Sequence, residues 1–234
     1  MNVMPHIERK VAWAAISVAG ILVLQTSTLI AMGHPLICSC GHISLWYSNP
    51  AGPETSQQLT DWYTWSHIIH GFLFYLLLWV LFPRMHVGFR FAMAVGLEAG
   101  WELIENTSIV IERYRESALA RGYYGDSVIN SVFDTFAAML GFVLARKLPV
   151  LGSVAFVIAV ELFMLYMIRD NLTLNIIQLL YPSDAISRWQ THGSGVLESM
   201  VAIRGRGGGR SGLTFKPPRR VPPPSRRRRF WNRP

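Results

Sequence analysis

Two kinds of residue are scarce in this sequence: cysteine, of which there are two among 234 residues, and charged residues, which make up 15%. Apolar residues account for 51%, so the chain is more apolar than a typical soluble domain. Apolar runs of about 20 residues, long enough to cross a bilayer, explain this excess. The composition argues against an ordinary soluble domain and predicts an all-α fold, a polytopic transmembrane helix bundle.

Acidic residues are absent from residues 204–234, which instead hold eleven Lys and Arg. Residues 1–203 hold fourteen acidic and eleven basic residues, so this body carries −3 and the tail +11. The tail is rich in Arg, Pro and Gly, a composition that does not bury a core, and we predict that it is disordered. Its charge favours anionic lipid or nucleic acid as a partner, with an incidental solvated extension as the equal alternative.

About five membrane spans are predicted from apolar stretches at residues 11–32, 62–82, 89–111, 126–145 and 150–168. Arg9 and Lys10 precede the first span, and no Lys or Arg occurs between Gly33 and Asp61, so the N-terminus is predicted to be cytoplasmic. A further apolar stretch, residues 172–181, is too short to cross and predicts an interfacial or re-entrant segment. The predicted organisation is a cytoplasmic N-terminus, a transmembrane domain, a short extension and the basic tail: residues 1–10, 11–182, 183–203 and 204–234.

The two cysteines, Cys38 and Cys40, lie between His34 and His42 in the loop predicted to be outside. This grouping suggests a small metal site, although Cys-x-Cys is tighter than the usual zinc-binding pair. A disulfide between such close neighbours would be strained, and free or intermolecularly paired thiols are the remaining alternatives.

Acidic and imidazole side chains form stripes on the predicted spans. Glu98, Glu102 and Glu105 follow the i, i+4, i+7 spacing of one helix face, and His67 and His70 share a face at i, i+3. A charge at mid-bilayer costs about 3 kcal/mol by insertion scales. The acidic face must therefore meet partner residues, protons, a cation or water.

Two further spans carry polar groups: Asp126, Asn130 and Asp134 on the fourth, and Glu161 on the fifth. At 1.5 Å per residue, most of these groups and the histidines fall about 7–14 Å below the outer surface, with Glu98 alone nearer the midplane. Scattered structural residues have no reason to agree in depth. We therefore predict that they meet in one cavity that opens to the outside.

Two histidines with several carboxylates suit zinc, manganese or iron. The predicted metal ligands are His67, His70, Glu102 and Asp126. The predicted catalytic acids or bases are Glu102, Glu105, Asp126 and Asp134. The other predicted roles are a proton relay at Glu98 and Glu161 and an anion-binding role at Arg113 and Arg169. A simpler role, tying helices together through hydrogen bonds, is expected for Asn106, Ser127, Asn130 and Ser131.

Five motifs resemble the signature of an uncharacterised family of bacterial polytopic inner-membrane proteins: Ser66–Phe72, Glu98–Asn106, Ile111–Arg115, Tyr123–Ser131 and Ile168–Asn175. The resemblance covers about residues 35–190, implies a multi-pass protein of the cell inner membrane and brings no activity with it. More distantly, the order of His, a Glu-rich helix and Asp126-x-x-x-Asn130 is similar to the VanZ-like membrane proteins, a group linked to glycopeptide resistance. That pattern commonly has Gly where this chain has Phe133.

Three functions remain open from the sequence. The first is a metal-dependent enzyme that acts on a lipid-linked or phosphorylated envelope substrate; the sequence shows no nucleophile or phosphate loop that would fix the reaction. The second is a proton-coupled carrier or ion-binding protein, which the deeper position of Glu98 favours and the lack of an internal repeat disfavours. The third is a non-catalytic membrane scaffold.

Overall fold

Every regular element in the part of the chain that the structure describes, residues 6–117 and 119–191 of a computed structural model, is a helix. The tail at residues 204–234, most of the predicted extension and the first five residues lie outside this part. The all-α prediction is confirmed. The helices are α1 (His6–Ala31), α2 (Thr64–Leu81), α3 (Val87–Glu105), α4 (Ser108–Arg115), α5 (Val128–Lys147), α6 (Val150–Ile168), α7 (Leu172–Leu180) and α8 (residues 184–191).

Four of these helices are long and apolar enough to cross a membrane: Arg9–Ala31 within α1, and α2, α5 and α6. The prediction of about five spans is thus supported for four. The remaining long helix, α3, has 19 residues but carries Arg90 and three glutamates. Because of these charges, α3 is not among the helices apolar enough to cross a membrane.

The predicted third span, residues 89–111, is interrupted. It forms α3 and the short α4, and the break falls at Asn106 and Thr107. The Asn106 side-chain amide donates to the Glu102 carbonyl oxygen at 2.9 Å and to Asp126 Oδ2 at 2.6 Å. Such side-chain bonds to nearby backbone compete with helix continuation.

In α3 the charged face is buried and the apolar face is exposed, the reverse of a helix on the surface of a soluble protein. Glu98 and Glu102 are 0% exposed, whereas Met93, Leu97 and Ile104 are exposed. Charged side chains are seldom fully buried unless paired, and within membranes they face the bundle interior. The exposed face of α3 is therefore compatible with contact to lipid, although the helix as a whole contains more charged residues than an ordinary membrane span.

The helices α2 and α5 approach so closely that only glycine fits between them. A Cβ at Gly71 would lie 2.1 Å from the Ala138 carbonyl oxygen, and one at Gly141 would lie 2.0 Å from the Ile68 carbonyl oxygen. Small residues allow this backbone approach in membrane bundles. The contact fixes α2, with its histidines, against α5, with Asp134.

Three connections meet at one end of the bundle, which we call the loop end. Residues 32–63, 106–127 and 169–191 lie here, and α2 and α5 begin here while α1, α3 and α6 end here. His34 contacts the carbonyl oxygens of Asn106 and Asp126, and Trp62 packs in one apolar cluster with Ile168 and Leu172. Among the described residues, the helices at the opposite end are joined by the short turns at residues 82–86 and 148–149.

Candidate functional site

Glu98 lies between the two histidines of α2. Its Oε1 is 2.5 Å from His67 Nδ1, and its Oε2 is 3.1 Å from His70 Nδ1. A carboxylate accepts hydrogen bonds at both oxygens, so this arrangement favours a proton on Nδ1 of each ring. A carboxylate that orients a histidine in this way is typical of metal centres and of general bases.

Glu98 lies closer to the end of its helix than the sequence predicted. Because α3 ends at Glu105, six residues before the predicted end of the span, Glu98 lies about 10 Å from the helix end. His70 is six residues into α2, about 9 Å from its start. The two groups are therefore level, and Glu98 belongs to the cluster and is not a separate group nearer the midplane.

The second ring nitrogen of His67 faces α5. Its Nε2 is 3.8 Å from Asp134 Oδ2, while Asp134 Oδ1 accepts a hydrogen bond from Thr64 Oγ1 at 2.9 Å. Asp134 is buried. The imidazole thus bridges a carboxylate from α3 and a carboxylate from α5.

Glu102 is fully buried and neither of its carboxylate oxygens has a hydrogen-bond donor among the described residues. Its Oε1 lies 3.2 Å from His67 Nδ1, but the single proton on that nitrogen is directed at the closer Glu98. Glu105 Oε2 is likewise buried without a donor. Leaving a buried acceptor unpaired costs about 1–3 kcal/mol, and more when it is charged. These oxygens require a proton or a cation.

Two overlapping groups of side chains place possible metal ligands within 4.8 Å of one another. The first is His67, His70 and Glu98, and the second is His67, Glu102 and Glu105. Both contain His67, and both combine imidazole with carboxylate, a donor set that zinc, manganese and iron accept. Asp126, predicted as a ligand, belongs to neither group, and Glu98 takes its place.

Asp126 instead joins two segments of the loop end. Its oxygens accept hydrogen bonds from Tyr123 Oη at 2.9 Å and from Asn106 Nδ2 at 2.6 Å, and its backbone N–H donates to Asn106 Oδ1 at 2.7 Å. Burial raises the pKa of Asp126, and the bonds from Asn106 and Tyr123 oppose part of that rise. The Asp126 side chain still lines the cavity next to the histidines.

A cavity of about 290 Å³ opens beside these groups at the loop end. Its polar side is formed by His67, His70, Glu105, Asp126 and Asp134. Its other walls are largely aromatic and aliphatic and come from α2, α3, α4, α7 and the loops around residues 50–56 and 119–124. Chemically reactive groups therefore face an apolar space.

Three predicted site residues lie elsewhere. Glu161 accepts hydrogen bonds from the backbone N–H groups of Leu172 and Thr173, so it caps the start of α7. Arg113 donates to the Leu179 carbonyl oxygen at 2.8 Å near the end of α7, and Arg169 donates to the Trp189 carbonyl oxygen at 3.0 Å. None of the three lines the cavity.

Sequence reasoning missed the aromatic part of the cavity. Tyr63, Phe74, Trp101, Tyr114 and Tyr123 all line it. Three of them lie in or next to the motifs that carried the family resemblance, but a tyrosine or tryptophan near a helix end also fits a membrane interface. The spacing of aromatic residues therefore gave no signal that distinguishes a cavity from an interface.

The two cysteines are joined in the structure by a disulfide, Cys38–Cys40. Their sulfur atoms, with Glu54, also lie close enough to hold a metal. Because metal binding by cysteine uses thiolates, bonded sulfurs are not ligands. The predicted metal site at His34, Cys38, Cys40 and His42 is not formed, and His34 instead holds the loop end together.

The fold and the site together define a helical protein of the membrane type, with four helices apolar enough to span a bilayer and a buried His/Glu cluster beside an apolar cavity. The model of a family described as "Protein of unknown function (DUF2585)" matches residues 29–192, and the chain belongs to this family. The match contains every residue of the cluster.

Curated relatives support the same assignment. The chain is 50% identical over 177 residues to a UPF0314 protein of Brucella anthropi, which covers 76% of this chain and 90% of the relative. It is 47% identical over 170 residues to one of Paracoccus denitrificans (73% and 88%) and 46% identical over 175 residues to one of Sphingopyxis alaskensis (75% and 93%). No solved structure matches the chain significantly.

Proposed function

We propose that this protein is a metal-dependent enzyme of the cell inner membrane that acts on a lipid-linked envelope substrate. The observation that carries the proposal is Glu102, whose two oxygens are buried without a donor, 3.2 Å from the imidazole of His67. A buried carboxylate beside other carboxylates is stabilised most directly by a cation. A divalent metal would satisfy the orphan oxygens, and His67 would be a further ligand once the metal displaced the proton that Nδ1 shares with Glu98.

The residues present fit such an ion. His67 with Glu102 and Glu105, or His67 with His70 and Glu98, supplies the donor set. A bound divalent metal supplies Lewis acidity and a water molecule of lowered pKa. Three protein ligands and an open position are typical of catalytic sites, whereas structural sites are closed.

Within this site the chain's own residues have distinct tasks. Glu98 orients both imidazoles through their Nδ1 atoms. Glu105 or Asp134, which line the cavity, is placed to accept a proton from a nucleophile there. The apolar walls exclude water and receive the apolar part of a substrate. The similarity to VanZ-like proteins stays a prediction, and so do the cytoplasmic N-terminus and the outward-facing cavity.

A proton-coupled carrier is the second candidate, and the same orphan oxygens favour it. If Glu102 and Glu105 are neutralised by protons, no metal is needed, and the cluster becomes a proton-binding site. Arg113 and Arg169 donate to backbone carbonyl oxygens and do not line the cavity, so neither supplies the cation that the acids lack.

Metal analysis of the detergent-purified protein separates the two. We expect about one equivalent of zinc, manganese or iron in the native protein and its loss in His67→Ala and Glu102→Gln. Gln25→Leu is the matched control, because Gln25 is also fully buried and polar but lies outside the cluster. Metal-free native protein, or metal retained in both cluster variants, would contradict the enzyme proposal.

A further inference from the structure

The cavity wall combines aromatic rings with acids and contains no Lys or Arg among the residues that the structure describes. Six rings reach it from α2, α3, α4 and the loops: Tyr63, Phe74, Trp101, Tyr114, Tyr123 and Tyr124. Glu105, Asp126 and Asp134 are on the same surface, and Glu105 Oε2 has no donor. Negative charge with exposed aromatic faces is the environment in which organic cations are bound.

The charge of the cluster makes the same point. Glu98, Glu102, Glu105, Asp126 and Asp134 are five carboxyl groups, and the basic side chains close to them among the described residues are the two histidines of α2. One divalent ion would leave negative charge uncompensated. An anionic group entering the cavity would be repelled, whereas a cationic group would be attracted.

The opposite wall, formed by α7, is mostly apolar, and both ends of this helix are held by hydrogen bonds. Leu172, Ile176 and Leu179 line the cavity from α7 at the spacing of one helix face. Glu161 holds the first turn of α7, and Arg113 holds its last carbonyl groups. A volume of about 290 Å³ is at the small end of ligand pockets, enough for a headgroup and the first carbons of a chain.

From these features we infer that the cavity binds an amphiphile whose polar end is an ammonium group, held among the acids and aromatic rings, with its chain against α7. The inference deepens the proposed function by naming the substrate class. It rests on that function for turnover, whereas binding itself needs only the cavity.

The direct test is calorimetric titration of the full chain in neutral maltoside detergent with probes that share one octyl chain. The probes are octyltrimethylammonium, octyl phosphate and octyl sulfate, each below its micelle concentration. We expect the ammonium probe to bind at least about tenfold more tightly than either anion. Anions that bind as tightly as the ammonium probe would overturn the inference.

Two variants of α7 test whether binding occurs in this cavity. Ile176 and Ile177 are neighbours with similar exposure, 45% and 40%, but only Ile176 lines the cavity. Ile176→Trp should abolish binding of the ammonium probe, and Ile177→Trp should leave it unchanged. Equal affinities in the two variants would place the binding elsewhere and refute the assignment.

A third variant tests the charge preference. Glu105→Gln keeps the shape of the cavity and removes one acid, so the preference for the ammonium probe over the anions should fall. The result is independent of the metal proposal, because Ile176→Trp should lose the ammonium probe and keep its metal. If the protein holds no metal but binds the ammonium probe, only the enzyme proposal is contradicted. If the protein holds a metal but prefers the anionic probes, only the present inference is contradicted.

Discussion

Two groups of buried polar side chains in this bundle differ in whether their polar atoms all have hydrogen-bond partners. The difference shows how polar residues that only join helices differ from polar residues that have a function. In the first, Gln25 of α1 donates to the Ser131 carbonyl oxygen and hydroxyl and accepts from Thr135 Oγ1. In the second, the carboxylates of α3 meet His67 and His70, and Glu102 keeps two oxygens without a donor. Both are shielded from the exterior.

The neutral group uses every polar atom of Gln25, as expected of residues that only tie helices together. The ionisable group contains more acceptors than donors, which packing alone does not require. In a structural network every donor and acceptor tends to have a partner. A network that contains unpaired acceptors is suited to binding a ligand or protons. The predictions below test this distinction.

The largest effect should come from the α2/α5 contact, because it positions both groups. In Gly141→Ala the new Cβ would lie 2.0 Å from the Ile68 carbonyl oxygen and 2.9 Å from the Ile68 carbonyl carbon, backbone atoms that have little freedom to move. We expect no folded protein to accumulate, measured as monodisperse yield and thermal unfolding in detergent. Gly100→Ala is the control, since nothing lies within 4 Å of its Cβ position. A folded Gly141→Ala protein with intact metal would show that the two helices are free to separate.

Asp170 at the loop end lies between the two cases, because it is an acid in a satisfied network. Its carboxylate accepts from Tyr63 Oη, the Asn171 N–H, Asn175 Nδ2 and Gln190 Nε2. Burial nonetheless raises its pKa to about 7, and the bonds from Tyr63, Asn171 and Asn175 oppose part of that rise. The folded state therefore favours the protonated acid.

This shift predicts a pH dependence of known sign. A raised carboxyl pKa stabilises the folded state fully below the unfolded value near 4, and the contribution is lost as pH rises through about 7. The loss should be at most about 4 kcal/mol. Asp170→Asn should remove it, so the stability advantage of the native protein over the variant shrinks from pH 4 to pH 7.5, measured by unfolding in detergent. An advantage that grows with pH would mean that the four donors hold the ionised form.

Glu98→Gln tests whether the unsatisfied group binds metal through oriented histidines. A glutamine has one acceptor oxygen, so it can hold only one of the two Nδ1–H groups that Glu98 now holds. We expect metal affinity to fall about 10–100-fold with the fold intact, measured by competition with a chelating dye. The effect should be smaller than that of His67→Ala. Unchanged affinity would remove Glu98 from the site.

Much of the fold could be predicted because apolar length is a local property. The spans at α1, α2, α5 and α6 follow from runs of apolar residues, and the acid face of α3 follows from the spacing of Glu98, Glu102 and Glu105. The prediction failed where a tertiary contact set the boundary. Asn106 ends α3 by bonding to Asp126, twenty residues away, and no pattern around Asn106 shows that partner.

The types of residue that form the site could be predicted from the sequence, but which residues contact one another was harder to predict. Depth along a helix predicted that His67, His70 and most of the acids share a level, with Glu98 set apart. It gave no information on rotation about the helix axis, which turns Glu161 toward the start of α7 and Arg113 toward its end. The aromatic wall was missed because its rings come from α2, α3, α4 and the loops, and loops without periodic patterns bring these elements together.

The smallest effect should come from a substitution of Gln25, whose polar atoms all have hydrogen-bond partners. Gln25→Leu removes three hydrogen bonds between α1 and α5, but Thr135 Oγ1 can still donate to the Ser131 carbonyl oxygen of its own helix at 3.2 Å. Hydrogen bonds between membrane helices average about 0.6 kcal/mol, so we expect a loss of about 1–2 kcal/mol in unfolding free energy. Metal content and binding of the ammonium probe should be those of the native protein. If Gln25→Leu lowered either one at unchanged stability, the Gln25 network would be part of the functional site, and the separation of structural from functional polarity would not hold.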